Sequence, residues 1–381
     1  MEAFPPTRHA VHVLPAGELE RKLALGRPLR VKLGVDPTSP DVHLGFAVVL
    51  DRLREWQDAG HTVVLIVGDY TARIGDPSGR SSERPVLPDE ELDANAQHFA
   101  DQAFRILDRD RTEVRFNGEW LAKLSFAEVV RLTRMLTVSR LLERDDFAKR
   151  FAAQEPISLS ELLYPPMQAY DSVAIDADVE IGGTDQLYNL LAGRDVMERY
   201  GKEPQVVVTY PLLVGLDGEE KMSKSRGNTI AILEPPEEMF GKTMSIPDQA
   251  LAQWWELLAG GEHSESPMEW KLELARRITA RWHGEEGARA GEAHFTRVVR
   301  HHDAPADVPE ATFSALDGKV YVPALLQDVF GNSGSHWRRQ IDQGGVKLDG
   351  GSVAGYEVAA ATLDGALLQA GKRQFFRLRP A

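Results

Sequence analysis

The chain has 381 residues, which at roughly 150 residues per domain predicts two or three domains and a large hydrophobic core. Hydrophobic residues make up 43% and charged residues 27%, so wholesale disorder, collagen and a coiled coil are excluded. There is no cysteine, which excludes a disulfide framework, a thiolate zinc site and a cysteine nucleophile.

Targeting and membrane signals are weak. Apolar runs such as Val63 to Val67 are far shorter than the roughly 20 residues of a membrane span. The segment from Met1 to Leu14 lacks the apolar stretch of a signal peptide. We therefore expect a soluble, cytoplasmic protein.

The net charge of -14 argues against nonspecific coating of nucleic acid, but the charge is not uniform. The segment from Leu316 to Ala381 carries eight Lys and Arg against six Asp and Glu. Its last stretch, Gly371 to Ala381, is basic and contains no acidic residue. This pattern indicates either a basic surface for nucleic acid or a solvated tail.

The first elements in chain order predict a βαβ unit. Val31 to Val35 is a short apolar strand, followed by turn residues at 36–41. Apolar residues at helical spacing from Leu44 then predict a helix that ends near Gly60. The run from Thr62 to Val67 suits a strand buried on both faces of a parallel sheet.

Further strands and helices alternate after this unit. They are predicted as a helix at 88–108, a strand at 112–116, helices to about 151, a strand at 179–181 and a strand at 205–209. Residues 1–235, with an insertion at about 117–160, are therefore expected to form an α/β nucleotide-binding domain with a parallel, Rossmann-like sheet. Ligands bind such a domain beyond the carboxyl ends of its strands.

The pattern changes after Pro235-Pro236. Residues 236–309 predict a helical domain that ends in a linker at 301–309. Residues 316–381 predict a small α+β domain, with helices at 322–329 and 335–343 and short strands after Gly344-Gly345.

Two short motifs are typical of phosphate binding. His43-Leu44-Gly45 lies at the start of a helix, where free N–H groups hold anions, although His43 could be an ordinary helix cap. In Lys221-Met222-Ser223-Lys224-Ser225, two ammonium groups on one loop can close over a phosphate chain. The alternative for this second motif is a solvated charged loop.

A third constellation indicates a polar pocket. Tyr164, Gln168 and Asp171 lie at i, i+4 and i+7 of a helix that must begin at or just after Tyr164 because of Pro165-Pro166. Three polar residues on one face predict a pocket wall or, alternatively, an exposed polar face. Asp185 precedes another helical run and is either a ligand contact or an N-terminal cap.

These motifs together carry a family resemblance. His43-Leu44-Gly45 with Lys221 to Ser225 resembles the two signatures of class I aminoacyl-tRNA synthetases. More specific segments resemble the bacterial tyrosyl-tRNA synthetase family over essentially the whole chain, and they lie at 32–38, 74–79, 164–171 and 182–186.

The resemblance implies an activity. Such an enzyme activates L-tyrosine with ATP to tyrosyl adenylate and pyrophosphate, and then transfers tyrosine to the 3′ end of tRNA(Tyr). ATP is a substrate that Mg²⁺ accompanies, and the resemblance implies no tightly bound cofactor and no resident metal. The family is homodimeric, so a second copy of the chain is an expected partner. The C-terminal segment resembles an S4-type RNA-binding domain.

The resemblance also implies which residues bind each ligand. Tyrosine is expected to contact Asp76, Tyr164, Gln168, Asp171 and Gln186. ATP or the adenylate is expected to contact Asp36, Thr38, His43, Gly45, Gly183, Asp185, Lys221, Ser223 and Lys224. Within that set the catalytic residues are Thr38, His43, Lys221 and Lys224. tRNA is expected to contact Arg80, Arg84, Arg338, Arg339, Lys347, Lys372 and Arg373.

Three positions depart from the family pattern. Phe46 stands where the signature usually has histidine or asparagine, and a phenyl ring cannot donate a hydrogen bond. Lys32 stands where many members have a tyrosine that helps to bind the substrate hydroxyl, and a lysine could donate to that oxygen itself. Ser335-His336-Trp337 departs from the usual start of an S4 helix.

Three other functions remain open from the sequence. A tryptophanyl-tRNA synthetase shares the fold and signatures, although Asp171 and the S4-like tail favour tyrosine. A nonenzymatic RNA-binding protein that keeps the fold is suggested by Phe46, and the complete Lys221 to Ser225 motif argues against it. A small-molecule nucleotidylyltransferase would leave the basic tail without a purpose.

His294, His301 and His302 are interpreted as surface histidines rather than metal ligands.

Overall fold

The computed structural model describes most of the chain, in the ranges 5–38, 40–78, 88–300, 308–371 and 374–381. Four of the predicted tRNA-binding residues, Arg80, Arg84, Lys372 and Arg373, lie outside these ranges. His301 and His302 also lie outside them.

The chain divides into two compact units. The first is Met1–Glu234 with Ser245–Leu274, and the second is Pro235–Met244 with Ala275–Ala381. The predicted helical domain at 236–309 is thus shared between the two units. One reason is that Gln253 and Trp254 hydrogen-bond to the backbone of Val214, which ties their helix to the first unit.

The first unit contains a six-stranded sheet with the order β1-β6-β5-β2-β3-β4. Its strands are β1 His12–Leu14, β2 Arg30–Val35, β3 Thr62–Val67, β4 Thr112–Phe116, β5 Val179–Gly183 and β6 Val206–Tyr210. All neighbouring pairs are parallel except β1 with β6, which is antiparallel. The predicted parallel sheet is therefore confirmed, whereas the short edge strand β1 was not predicted.

Continuous β-branched runs place the central strands inside the unit. Val63 to Val67 in β3 are at most 1% exposed, which agrees with a strand covered on both faces. Helices join the parallel strands, so the carboxyl ends of the strands meet at one edge, as in other α/β sheets. Two charged residues, Lys32 in β2 and Glu180 in β5, are buried within this apolar layer.

Eleven helices precede the long helix of the chain in the described residues. They are α1 Glu18–Leu23, α2 Leu44–Asp58, α3 Asp89–Ala103, α4 Gly118–Leu121, α5 Phe126–Thr133, α6 Val138–Leu141, α7 Asp145–Ala152, α8 Tyr164–Ala174, α9 Leu187–Arg199, α10 Pro236–Ser245 and α11 Leu251–Trp254. Helices α4 to α7 form the predicted insertion after β4. Leu132 of α5 is buried against α8 and α9, which docks the insertion on the unit.

The second unit contains a helical part and a small α+β part. Its helical part includes most of α12, Pro267–Phe295, which Gly284 interrupts with a φ of 70°. Its last part has helices α13 Val322–Phe330 and α14 Gly334–Asp342. The strands are β7 Glu310–Phe313, β8 Lys319–Tyr321, β9 Val346–Leu348, β10 Gly351–Ser352, β11 Glu357–Ala359, β12 Leu367–Ala370 and β13 Gln374–Pro380.

The small α+β part begins earlier than the predicted boundary at 316. Strand β7 pairs in parallel with β13, so a five-stranded sheet with the order β10-β9-β12-β13-β7 starts at Glu310. Buried residues such as Leu326, Trp337 and Leu368 form its core. Among the described residues, no helix is both long and apolar enough to span a membrane.

Candidate active site

A cavity of about 620 Å³ opens beyond the carboxyl ends of β2, β3 and β5 in the first unit. Every residue predicted to bind ATP or tyrosine lines it, namely Asp36, Thr38, His43, Gly45, Asp76, Tyr164, Gln168, Asp171, Gly183, Asp185, Gln186, Lys221, Ser223 and Lys224. The sequence motifs are dispersed along more than half of the first unit. The fold brings them together at the edge where α/β sheets bind ligands.

The carboxylate of Asp171 lies at the buried end of this cavity. Its Oδ1 accepts a hydrogen bond from Nε1 of Trp120 at 2.8 Å, and its Oδ2 accepts one from Nδ2 of Asn117 at 3.3 Å. Burial raises the pKa of Asp171 to about 7, against the opposing effect of the positive charge of Lys32 and of these donors. The group is therefore poised between its charged and neutral forms near neutral pH.

Asn117 and Trp120 were not predicted to belong to the site. Asn117 directly follows β4, so it lies at the carboxyl end of a strand, where polar residues tend to face ligands. That position was the available signal. Trp120 lies in α4 of the insertion and gave no comparable signal.

The hydroxyl of Tyr164 donates to Oδ2 of Asp36 at 3.0 Å, and the hydroxyl of Thr71 donates to Oδ1 at 2.8 Å. Gly68 makes room for this arrangement, since a Cβ at Gly68 would lie 2.2 Å from Asp36 Oδ1. Burial raises the pKa of the Tyr164 phenol well above its ordinary value, so it is a hydrogen-bond donor at physiological pH.

Asp76 ends a chain of side-chain hydrogen bonds that begins in the insertion. Arg144 donates to Asn189 at 2.7 Å, Asn189 donates to Gln186 at 3.1 Å, and Gln186 donates to Oδ2 of Asp76 at 2.8 Å. Each amide is oriented by the donor before it, because the guanidinium can only donate. The carboxylate of Asp76 thus lies in a fixed position on the cavity wall.

Tyr164, Gln168 and Asp171 are all buried, at 6%, 9% and 3% exposure. The alternative of an exposed polar face is therefore wrong, and the pocket-wall interpretation agrees with the structure. Helix α8 begins at Tyr164, as the two following prolines require.

Lys32 takes part in a buried ion pair. Its Nζ lies 2.9 Å from Oε1 of Glu180 and donates to Oγ of Ser172 at 2.8 Å. The expectation that this lysine could donate to a substrate oxygen is not supported by these contacts, because the ammonium already lies on Glu180, Ser172 and the carbonyl of Gln168. Lys32 therefore holds residues of the cavity wall in place rather than donating to a substrate.

His43 occupies the N-cap position of α2, but within the described chain its side chain makes no capping hydrogen bond. The backbone of the next residue donates to the carbonyl of Ile230 at 2.9 Å, so this segment pairs with the chain that follows the lysine loop. Burial, with a smaller effect of Lys224, lowers the pKa of His43 to about 3. The imidazole is therefore neutral at physiological pH.

Phe46 packs on this histidine, with ring centroids 4.7 Å apart, and contacts Phe99 edge-on at 5.5 Å. The departure from the family pattern thus replaces a polar side chain by an aromatic one that lines the cavity beside His43.

The two lysines of the Lys221 to Ser225 loop lie on carboxylates. Nζ of Lys221 lies 2.6 Å from Oδ2 of Asp185, and Nζ of Lys224 lies 2.9 Å from Oδ2 of Asp41. Since Asp185 accepts from Lys221 and makes no side-chain cap for α9 within the described residues, the capping alternative is not supported.

The two signature motifs are neighbours in space. A Cβ at Gly45 would lie 3.4 Å from Cβ of Met222, which is buried in the middle of the lysine loop. The loop is anchored by Asn228, whose Oδ1 accepts from the backbone of Ser223 at 2.8 Å. These contacts argue against the alternative of a solvated charged loop, although Ser225 is exposed.

The described candidates for tRNA binding lie in the second unit. Arg338 and Arg339 are exposed on α14, and Lys347 is half-buried on β9.

Comparison with known proteins agrees with this site. Residues 24–299 match the family model described as tRNA synthetases class I (W and Y). A tyrosine–tRNA ligase of Thermotoga maritima is 48% identical over 97% of this chain and 95% of its own length. The enzyme of the same name from Haemophilus influenzae is 45% identical over 96% of this chain and 94% of its own.

Solved structures show the same fold. The tyrosyl-tRNA synthetase from Archaeoglobus fulgidus, complexed with L-tyrosine, matches with a TM-score of 0.61 at 24% identity, over 74% of this chain and 96% of that one. A C-terminally truncated mitochondrial tyrosyl-tRNA synthetase of Aspergillus nidulans matches with a TM-score of 0.61 at 20% identity, over 76% and 91%.

The fold and the site define a nucleotide-binding enzyme with an α/β catalytic unit. The chain belongs to the class I tRNA synthetases of the W and Y family. The family resemblance predicted from the sequence is confirmed.

Proposed function

We propose that the chain ligates tyrosine to tRNA, using the cavity of the first unit for both steps. The chain is an aminoacyl-tRNA synthetase, and its relatives at 44–48% identity over nearly their full length are tyrosine–tRNA ligases. One observation carries the assignment to this cavity. The His43 to Gly45 and Lys221 to Ser225 motifs meet on one wall, and a polar pocket around Asp171 adjoins them.

The first step forms tyrosyl adenylate. A carboxylate oxygen of tyrosine attacks the α-phosphorus of ATP, the bond from that phosphorus to the bridging oxygen breaks, and pyrophosphate leaves with the electron pair. The cationic side chains of Lys221 and Lys224 and the neutral donors of Thr38 and His43 stabilise the charge that develops. The chain needs no nucleophile of its own, because positioning and electrostatics supply the catalysis.

We propose that the nucleotide exchanges partners with the loop. Asp185, beside Gly183, is suited to accept from ribose hydroxyls, and Asp36, Gly45 and Ser223 complete the wall on this side. When the nucleotide binds, Lys221 leaves Asp185 for a phosphate oxygen. Mg²⁺ accompanies ATP as the metal–nucleotide complex, since phosphate oxygens are ligands that Mg²⁺ prefers.

Tyrosine binds at the other end of the cavity. The Asp171 carboxylate accepts from the phenol hydroxyl, and Asp76, Tyr164 and Gln168 contact the α-ammonium group. Gln186 lies at the reacting carboxylate. Phenylalanine would leave Asp171 without this donor in a buried site, which disfavours it.

The second step consumes the adenylate. A ribose hydroxyl at the 3′ end of tRNA(Tyr) attacks the carbonyl carbon, and AMP leaves. We propose that the α+β part of the second unit is an S4-like RNA-binding domain, and that Arg338, Arg339 and Lys347 contact phosphates there. The helical part of this unit is proposed to contact the anticodon side of the tRNA.

We also propose a homodimer through the insertion. Large apolar side chains are exposed on it, with Phe126 at 83%, Phe151 at 65% and Leu159 at 76%. A second copy of the chain is the proposed occupant of this surface, since the family resemblance implies a homodimer and such a surface is unusual for a monomer. Sedimentation of the wild-type chain and of Phe126→Glu tests this proposal.

The direct test of the function is tyrosine-dependent exchange of ATP with pyrophosphate, measured with tyrosine, tryptophan and phenylalanine. We expect exchange with tyrosine alone. Exchange with tryptophan instead would favour the tryptophan enzyme of the same family. Absence of exchange with every amino acid would favour a nonenzymatic RNA-binding protein.

A further inference from the structure

Glu180, which lines the cavity beside Gln168, lies at the centre of a buried polar cluster. Its Oε1 is 2.9 Å from Nζ of Lys32, and its Oε2 accepts from Ser172 at 3.3 Å and from Gln205. Glu180 is 1% exposed, and Lys32, Ser172 and Gln205 are fully buried. Donors therefore surround both carboxylate oxygens.

The cluster lies within an otherwise apolar layer of the sheet. Lys32 and Glu180 are register partners on the neighbouring strands β2 and β5. A Cβ at Gly193 would lie 2.5 Å from Nε2 of Gln205, so a glycine is needed for the Gln205 amide to reach Glu180. A buried ion pair is weak evidence for a role in stability, because desolvation offsets its attraction. Its presence therefore calls for another explanation.

The explanation lies in Gln168, which lines the cavity together with Glu180. Its Nε2 donates to Oε1 of Glu180 at 3.4 Å. A carboxylate can only accept, so it must face the NH₂ end of the amide rather than the oxygen. The amide oxygen of Gln168 is thereby turned away from Glu180.

That oxygen is itself buried from solvent. Gln168 is 9% exposed, and its Oε1 has no hydrogen-bond partner among the described residues. A buried acceptor without a partner is costly, so such a group in a cavity wall indicates a donor that arrives with the ligand. In the proposed function that donor is the α-ammonium group of tyrosine.

We propose that Glu180, held in place by Lys32, is a positioning residue that fixes the amide of Gln168 with its oxygen toward the substrate ammonium group. This inference rests on the proposed function and deepens it. It assigns to two buried charged residues, Glu180 and Lys32, the orientation of a residue that contacts substrate in the proposed function.

The test compares ligands with and without the ammonium group. Binding of tyrosine and of 3-(4-hydroxyphenyl)propionate, which lacks the ammonium group, is measured by titration calorimetry on the full chain. In Glu180→Gln the neighbour of Gln168 can donate as well as accept, so the amide loses its fixed orientation. We expect tyrosine affinity to fall about tenfold and affinity for the propionate to change less than about twofold.

Two further variants show whether Glu180 acts through Gln168. Gln168→Ala removes the acceptor itself, and we expect it to lower tyrosine affinity at least as much. In Gln168→Ala/Glu180→Gln the second change should add no further loss, since the group it orients is absent. Lys32→Gln/Glu180→Gln removes the buried charges together and provides a variant without an unpaired lysine should the single variant fail to fold.

Three outcomes would overturn the proposal. If Glu180→Gln loses equal affinity for both ligands, Glu180 has a merely structural role. If its affinity for tyrosine is unchanged, Glu180 has no role in binding. If the losses in Gln168→Ala and Glu180→Gln add in the double variant, the two residues act independently. Failure of the proposed function is separate, because it would appear as absence of tyrosine-dependent exchange in the wild-type chain.

Discussion

Nζ of Lys224 lies 2.9 Å from Oδ2 of Asp41, and both residues line the cavity. The two side chains are 24% and 45% exposed, so the ion pair is solvated and contributes little to stability. A triphosphate carries more negative charge than one carboxylate and can therefore replace Asp41 as the partner of Lys224. The ion pair therefore holds the loop without preventing Lys224 from moving to a phosphate.

Lys224→Ala should slow tyrosine-dependent exchange by about a hundredfold or more, because it removes positive charge that acts chiefly as pyrophosphate forms. Tyrosine binding, measured by calorimetry, should change less than about twofold. Asp41→Asn is the matched control. It should leave the exchange rate at the wild-type value or increase the apparent affinity for ATP by up to about threefold. A loss of tyrosine affinity that equals the loss of exchange would contradict the assigned role.

The raised pKa of Asp171 predicts a pH dependence of tyrosine binding. Burial places this pKa at about 7, and the phenol hydroxyl donates best to the ionised carboxylate. Tyrosine affinity should therefore fall about tenfold between pH 8 and pH 6, since the ionised fraction falls by that factor. Calorimetric titrations across this range measure it.

The same shift sets the sign of a stability effect. Because the folded-state pKa lies above the ordinary value of 3.8, the folded chain holds this proton more tightly than the unfolded chain. The contribution of Asp171 to the free energy of unfolding is present at low pH and declines as pH rises toward about 7.

In Asp171→Asn the pH dependence of tyrosine affinity should disappear, and its persistence would assign the titration to another group.

Gly68→Ala should disrupt the wall at Asp36. The new Cβ would lie 2.2 Å from Oδ1 of Asp36 and 2.4 Å from Oγ1 of Thr71, so their hydrogen bond must break or the backbone must shift. We expect a loss of about 2 kcal/mol in the free energy of unfolding, measured by denaturant titration, and a raised KM for tyrosine.

The matched control is Gly34→Ala in β2, where no described atom lies within 4 Å of the new Cβ. Its free energy of unfolding should stay within about 0.5 kcal/mol of wild type. Equal stability of the two variants would show that Gly68 is not required by its neighbours.

Much of the catalytic unit could be predicted from the sequence because its strands are short apolar runs and its motifs are local. The predicted strands at 62–67 and 112–116 coincide with β3 and β4. The signature at His43 and the loop at Lys221 are likewise read from consecutive residues, and the fold of the family brings them together.

The contacts beneath the site could not be predicted in this way. Lys32 and Glu180 are separated by 147 intervening residues, and their pairing depends on the register of two strands that meet only in the folded sheet. Trp120 and Asp171 are 51 positions apart along the chain and meet only in the folded structure. Neither contact leaves a periodic or local signal in the sequence.

The basic residues of the second unit give a prediction about tRNA. Arg338→Ala/Arg339→Ala/Lys347→Ala in the full chain should leave exchange within about twofold of wild type and weaken tRNA charging at least about tenfold. Charging by the variant should depend less steeply on salt concentration than charging by the wild-type chain, since fewer phosphate contacts release fewer counterions.

Removal of the whole small sheet extends this test. Strand β7 begins at Glu310 and pairs with β13, so a stop after residue 309 removes the five-stranded sheet intact, whereas a stop after residue 315 would leave β7 as an unpaired strand. The shorter chain should retain exchange and lose tRNA charging, and the loss relative to wild type should be largest at low salt. The chain that ends at 315 should aggregate more, because an unpaired strand edge is exposed. Full charging by the chain that ends at 309 would show that tRNA is bound without this sheet.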